Sequence, residues 1–189
     1  MNVRRRSLAL LAAVSCLALG ATGALALRSR LADPEAYEPR GFRFEMAVAL
    51  PGSPFEIFDA FTGDVKPWWD HTFSGNPVEL VIEPKIGGAF REIYDEKGNG
   101  CEHARVTHVQ RGSMLRMVGP LGLAGKGIEL EMVFRFDKDG ETTNLMLEVH
   151  ALGRLTPELA SVVQKVWHHF LVERFEPYVK SGKHREKKG

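Results

Sequence analysis

Cysteine is scarce in this chain of 189 residues: Cys16 and Cys101 are the only two. With Cys16 in a segment expected to be removed, no internal disulfide is available, so apolar burial must hold the fold unaided. Charge of one sign is missing too. The 25 Lys and Arg nearly cancel the 24 Asp and Glu, for a formal charge of +1, and no basic face is implied for nucleic acid. Several signatures are lacking as well. No serine stands in a nucleophile elbow, no dinucleotide fingerprint occurs, and the glycines of 119–127 lack both the Walker spacing and a following Ser or Thr. Cys and His follow no standard zinc spacing, so neither a cofactor nor a metal is expected.

Long apolar runs are absent. The longest, Leu8 to Leu19, falls short of the ~20 residues of a spanning helix. It follows the basic Arg4, Arg5 and Arg6 and precedes the small residues of Ala24-Leu25-Ala26, the layout of a cleaved export signal over residues 1–26. Arg5-Arg6-Ser7-Leu8 has some likeness to a twin-arginine signal, and Ala13-Val14-Ser15-Cys16 to a lipoprotein ending. Cleavage removes three Arg and no acid, taking the charge to about −2. The expectation is an exported protein of the periplasm or cell envelope. It would touch membrane only through the N-terminal segment, if that stays uncleaved.

What is present is alternation. Residues 27–41 read as a linker, and from Phe42 the apolar Phe42, Phe44, Met46, Val48 and Leu50 alternate as in a half-buried strand. Ser53-Pro54-Phe55-Glu56 has the form of a capping box opening a short helix, and a second helical turn is expected around Asp64 to Trp69. Strands follow over 78–83, 88–95, 101–110 and 114–118. The clearest alternation then comes in Ile128 to Phe136 and Thr143 to Ala151. Thr156 and Pro157 start a long helix whose stripe is Leu159, Val163, Val166, Phe170 and Leu171, with Pro177 ending or kinking it. Residues 181–189 read as a solvated basic tail.

The predicted order is one strand, two short helices, about six further antiparallel strands and a terminal helix. Residues 42–180 thus resemble the START-like, or SRPBCC, superfamily. The motifs that carry the likeness are Ala60-Phe61-Thr62 with Trp68-Trp69, Gly87-Gly88-Ala89-Phe90, and Glu102-His103-Ala104-Arg105-Val106. They resemble the branch of heat-shock-protein ATPase activators and polyketide cyclase-like proteins. The resemblance implies an α+β helix-grip fold: a curved antiparallel sheet of about seven strands around a long C-terminal helix. It also implies a scaffold shared by lipid carriers, hormone receptors, cyclases and chaperone activators. The expected partner is a small apolar or amphipathic ligand held between sheet and helix.

Candidate ligand contacts are Trp68, Trp69, His71 and Phe90, together with Tyr94, Met132, Phe134, Leu147 and Phe170. For Trp68 and Trp69 two readings stay open: one ring plugs the core while the other lies on the surface, or an inward ring forms a ligand wall. Glu92 and His103 are the candidate catalytic pair. With the hairpin turn centred at Lys97 and Gly98 they face each other across two strands, as an acid–base pair, as two ligands of a metal site completed by His71, or simply as charges on the solvent face. A one-residue slip opposes Glu92 to Ala104 instead and dissolves the pair. Cys101 has no evident thiolate activation. Loop 119–127 reads as a strand connection suited to gate a cavity.

Overall fold

A computed structural model describes residues 34–186. The expected export signal lies outside them, and from Ala36 onward the chain forms one compact unit. The alternation in the sequence becomes one antiparallel sheet of eight strands: β1 (Arg40–Pro51), β2 (Gly63–Asp64), β3 (Glu79–Ile82), β4 (Ala89–Ile93), β5 (Gly100–Gln110), β6 (Met114–Gly119), β7 (Ile128–Asp139) and β8 (Thr142–Gly153). Their spatial order is β1-β8-β7-β6-β5-β4-β3-β2. Register Met132↔Val149, Phe134↔Leu147 and Phe136↔Leu145 stacks three apolar pairs on one face, all buried. Helix α1 (Pro54–Phe61) and the terminal helical segment cover that face. The sheet curves around the latter as a helix grip.

Four expectations needed correction. Two short helices were expected after β1; α1 forms, and the second is reduced to one helical turn, closed by the Trp69 N–H on Val65 O at 2.9 Å. Between the two lies the two-residue β2, where Gly63 adopts φ +74° and pairs with Ile82 of β3. The expected linker overlaps the sheet, since Arg40 and Gly41 already pair with Gly153 and Leu152. The C-terminal tail is not merely solvated. His184 is buried, and its Nε2 lies 2.9 Å from Glu56 Oε1, which also accepts from Arg185 at 2.7 Å. Only the hydroxyl half of the capping box forms, with Ser53 Oγ accepting the Glu56 N–H at 3.3 Å, because the Glu56 carboxylate serves the tail instead.

The terminal helix begins as expected. Thr156 caps it and Pro157 occupies its first turn in α2 (Pro157–His168). Pro177 has no N–H to donate, and its ring crowds the preceding turn. The helix relaxes into a wider π-helical stretch over His169–Phe175, where the Glu176 N–H reaches back to Leu171 O, before α3 (Glu176–Lys180). Trp167, Phe170, Leu171 and Phe175 from this segment are buried, whereas Leu159 and Val166 pack only partly against the core. Among the described residues no helix is long and apolar enough to cross a membrane.

Phe61 of α1 is the aromatic hub. Its ring centre lies 4.7 Å from Phe134, 5.1 Å from Trp68 and 5.3 Å from Phe175. Phe134→Ala, emptying this centre, should cost about 3–5 kcal/mol. Glu131→Ala on the same strand, where the partly exposed side chain forms a loose ion pair with Arg116 at 3.6 Å, should cost under about 0.5 kcal/mol. Denaturant melts of the two variants check the difference; equal losses would mean the strand faces are misassigned.

Candidate functional site

Glu92 and His103 do meet, though neither anticipated register brings them together. Hairpin β4–β5 turns on Asp95, whose Oδ1 accepts the N–H groups of Lys97 (2.9 Å) and Asn99 (3.2 Å). This sets Glu92 opposite Cys101, while Phe90 sits opposite Ala104. The offset is a β-bulge. His103 is the extra residue of β5, and both His103 and Ala104 turn to the buried face. The bulge brings His103 Nε2 to 3.1 Å from Glu92 Oε2. Gly119 lets β6 follow closely, since a Cβ there would stand 2.6 Å from His103 O.

The pair is buried rather than on the solvent face, with Glu92 at 0% and His103 at 5% exposure. A carboxylate at this depth requires donors, and the loop after Trp69 supplies them. The Phe73 N–H donates to Oε2 at 2.9 Å; the Ser74 N–H and hydroxyl donate to Oε1 at 2.8 and 2.7 Å. Burial alone would raise the Glu92 pKa, but these bonds, with His103, outweigh it and hold the group below its ordinary value. His103 is also held below its ordinary value, because burial outweighs the attraction of Glu92. At neutral pH the site therefore pairs an ionised carboxylate with a neutral imidazole. Cys101, whose Sγ lies 3.8 Å from His103 Nε2, is pushed up by burial and is no activated thiolate.

Beside this pair lies a cavity of about 510 Å³ between α2, the sheet and the loops. Of the sequence candidates, Trp69, His71, His103 and Phe170 line it. Trp69 and Phe170 form one wall, stacked at 3.7 Å and 16°, and the Trp69 indole N–H is fixed on His71 O at 2.8 Å. The other candidates lie elsewhere. Trp68 is fully buried against Phe61 and Phe175, and its Nε1 has no partner among the described residues. Both tryptophans point inward because the Trp68 and Trp69 N–H groups both bond Val65 O, at 3.1 and 2.9 Å, in a helical turn. Phe90 packs behind Trp69 and His103, each at 4.9 Å, and Met132, Phe134 and Leu147 are core. Tyr94 leans on Cys101, which pushes its hydroxyl up to about 12.

Several wall residues were not among the ligand contacts expected from the sequence: Trp167, Leu130 and Val163 face the cavity, as does the turn Leu121–Leu123 from the glycine-rich loop. Phe73 stacks on the His103 ring at 5.4 Å and 15°, yet is half exposed at the rim. Their apolar character was visible, but which loop residue meets which helix residue depends on tertiary placement.

A second polar cluster ties the rim to the helix. His169 Nε2 lies 3.0 Å from each Asp70 oxygen, His71 Nδ1 2.8 Å from Oδ1, and Arg174 Nε 3.2 Å from Oδ2. Bonds to Glu173 and Asp70 raise the His169 pKa. Burial works against ionised Asp70, but its bonds to His71 and His169 prevail and lower its pKa. Donor atoms of Asp70, His71 and His169, and of Glu92, Cys101 and His103, lie within 4.8 Å of one another, a spacing that suits a metal ion. In both groups these atoms already serve one another or neighbouring side chains.

The pKa directions give signed pH effects. Glu92 and His103, both depressed, contribute stability above about pH 4.5 and 6.5 respectively, and it is lost as pH falls through their folded values. His169, raised, acts oppositely: its contribution is present below about 6.5 and lost as pH rises through its folded value. Glu92→Gln should cost about 1–3 kcal/mol at neutral pH, because it sets an amide against buried donors. It should also flatten the acid limb of stability against pH. Melts from about pH 4 to about pH 8 check this; an unchanged acid limb would mean that Glu92 does not carry it.

No protein-family model matches the chain, and no curated protein matches it in sequence. Solved structures do match in shape. The Mll3558 protein from Rhizobium loti aligns at TM-score 0.55 and 15% identity, over 71% of this chain and 95% of its own. Ara h 8.0201 aligns at TM-score 0.53 and 15% identity, over 75% and 99%. The AHSA1-like protein from Aeromonas hydrophila gives TM-score 0.51 and 15% identity, over 75% and 95%. At such identities the likeness concerns architecture, and it agrees with the strand order and terminal helix described above: this chain has the helix-grip fold.

Proposed function

We propose that the protein binds a small apolar or amphipathic molecule in the cavity between sheet and helix, and that it does so after export. The observation that carries the binding reading is the cavity itself. About 510 Å³ is within the range of small-molecule sites, and its walls are mainly aromatic and aliphatic with a few polar groups at one end. Burial of ligand surface, at about 25 cal/mol per Å², supplies the affinity, and the polar end sets orientation. An enzymatic reading of Glu92 and His103 has less support. Among the described residues no Ser, Cys or Lys lines the cavity to serve as a nucleophile beside them.

Indole fluorescence tests the binding reading. Trp69 and Trp167 line the cavity and Trp68 does not, so an apolar probe should shift an emission that survives Trp68→Phe. The shift should shrink in Trp69→Phe or Trp167→Phe and vanish when both are changed. A shift that persists in the double variant, or saturable binding to neither protein, would contradict the proposal. Export rests on Arg4 to Arg6, the short apolar run and Ala24-Leu25-Ala26. N-terminal sequencing of envelope-fraction protein should find a start near Leu27; an intact Met1 would count against cleavage.

A further inference from the structure

The cavity has a polar end of one character. Its polar lining is Asp70, His71, Thr72 and His103, and among the described residues no Lys or Arg reaches it. The Arg174 guanidinium is committed to the lining residue Asp70 at 3.2 Å. His169 is likewise held between Asp70 and Glu173. The Phe73 and Ser74 N–H groups are directed away from the cavity, onto Glu92, and the Trp69 indole N–H is bonded to His71 O. Of the remaining lining side chains, His71 is engaged through Nδ1 with Asp70 at 2.8 Å, and the Thr72 hydroxyl and the Trp167 indole are neutral donors.

His103 supplies the complementary half. Its Nε2 faces the Glu92 carboxylate, which only accepts, so the proton of that bond sits on Nε2 and Nδ1 keeps its lone pair. Among the described residues Nδ1 has no hydrogen-bond partner, although His103 is nearly fully buried at the cavity wall. At the rim Asp70 is taken up by Arg174, His169 and His71, so among the described residues no free cation is offered there. A buried carboxylate or phosphate on a ligand would lose its hydration with no charge to offset it. A neutral hydroxyl or amide N–H would find an acceptor in the wall.

We propose that the cavity selects neutral amphiphiles whose polar end donates a hydrogen bond to Nδ1 of His103, such as alcohols, phenols or primary amides, and excludes the corresponding carboxylates. This inference rests on the ligand-binding reading above. It extends that reading by naming the chemical class that Glu92 and His103 select. Glu92 acts as a positioning residue, fixing the tautomer and the plane of the His103 ring through the 3.1 Å bond.

Three ligands with one apolar body separate the possibilities: naphthol, its methyl ether and naphthoate, titrated calorimetrically into the full chain at neutral pH. Naphthol should bind about threefold to tenfold more tightly than the ether, the worth of one net hydrogen bond. Naphthoate should bind at least about tenfold more weakly than naphthol. In His103→Phe, which keeps a ring but no acceptor, the advantage of naphthol over the ether should fall to about one. Equal binding of all three would overturn the inference while leaving the cavity reading intact, as would a preference for naphthoate. Binding of none of them would overturn both. If His103→Phe fails to fold, the three-ligand series on the unaltered protein still decides.

Discussion

Four donors converge on the buried carboxylate of Glu92, and the geometry of the site follows from that convergence. A charge at 0% exposure is tolerable only when its oxygens are saturated. Saturation here draws on two separate parts of the chain. The bulge of β5 brings His103, and the loop after Trp69 brings Phe73 and Ser74. One carboxylate thereby fixes the depth of His103, the seating of the Phe73 ring against it, and the course of the loop that carries Trp69, Asp70 and His71 past the end of α2. With any one of these donors missing, the cavity would lose an edge or the carboxylate would lose its reason to stay ionised.

The rest of the wall is apolar packing on that frame. Trp69 lies between Phe170 and Phe90, and Trp167 connects the cavity to Phe134 in the core, 5.5 Å away. Two clusters of opposite pH response hold the same loop. The Glu92 end weakens in acid, while the Asp70–His169 contact weakens as His169 loses its proton. The loop is therefore best secured at intermediate pH, where Glu92 is ionised, His103 neutral and His169 still charged.

The fold was largely legible because its strands follow a strict period of two. Ile128 to Phe136 and Thr143 to Ala151 fall on the faces their alternation requires, and Pro157 and Thr156 mark the helix start. The site was less legible. Period-two reasoning assumes regular pairing, and the single extra residue at His103 defeats it: the two registers considered gave opposite answers, and the bulge gave a third. The inward direction of both Trp68 and Trp69 depends on a helical turn closed on Val65, which apolarity alone does not reveal. Likewise, His184 reads as part of a charged tail until Glu56 is seen beside it.

The space beside His103 is either a binding site or merely a packing defect. Native mass spectrometry of protein purified from its natural source addresses this directly. One small neutral molecule per chain is expected, released on unfolding and not retained by a Leu130→Trp variant whose larger ring fills the cavity. An anionic molecule, or one equally retained when the cavity is filled, would contradict it.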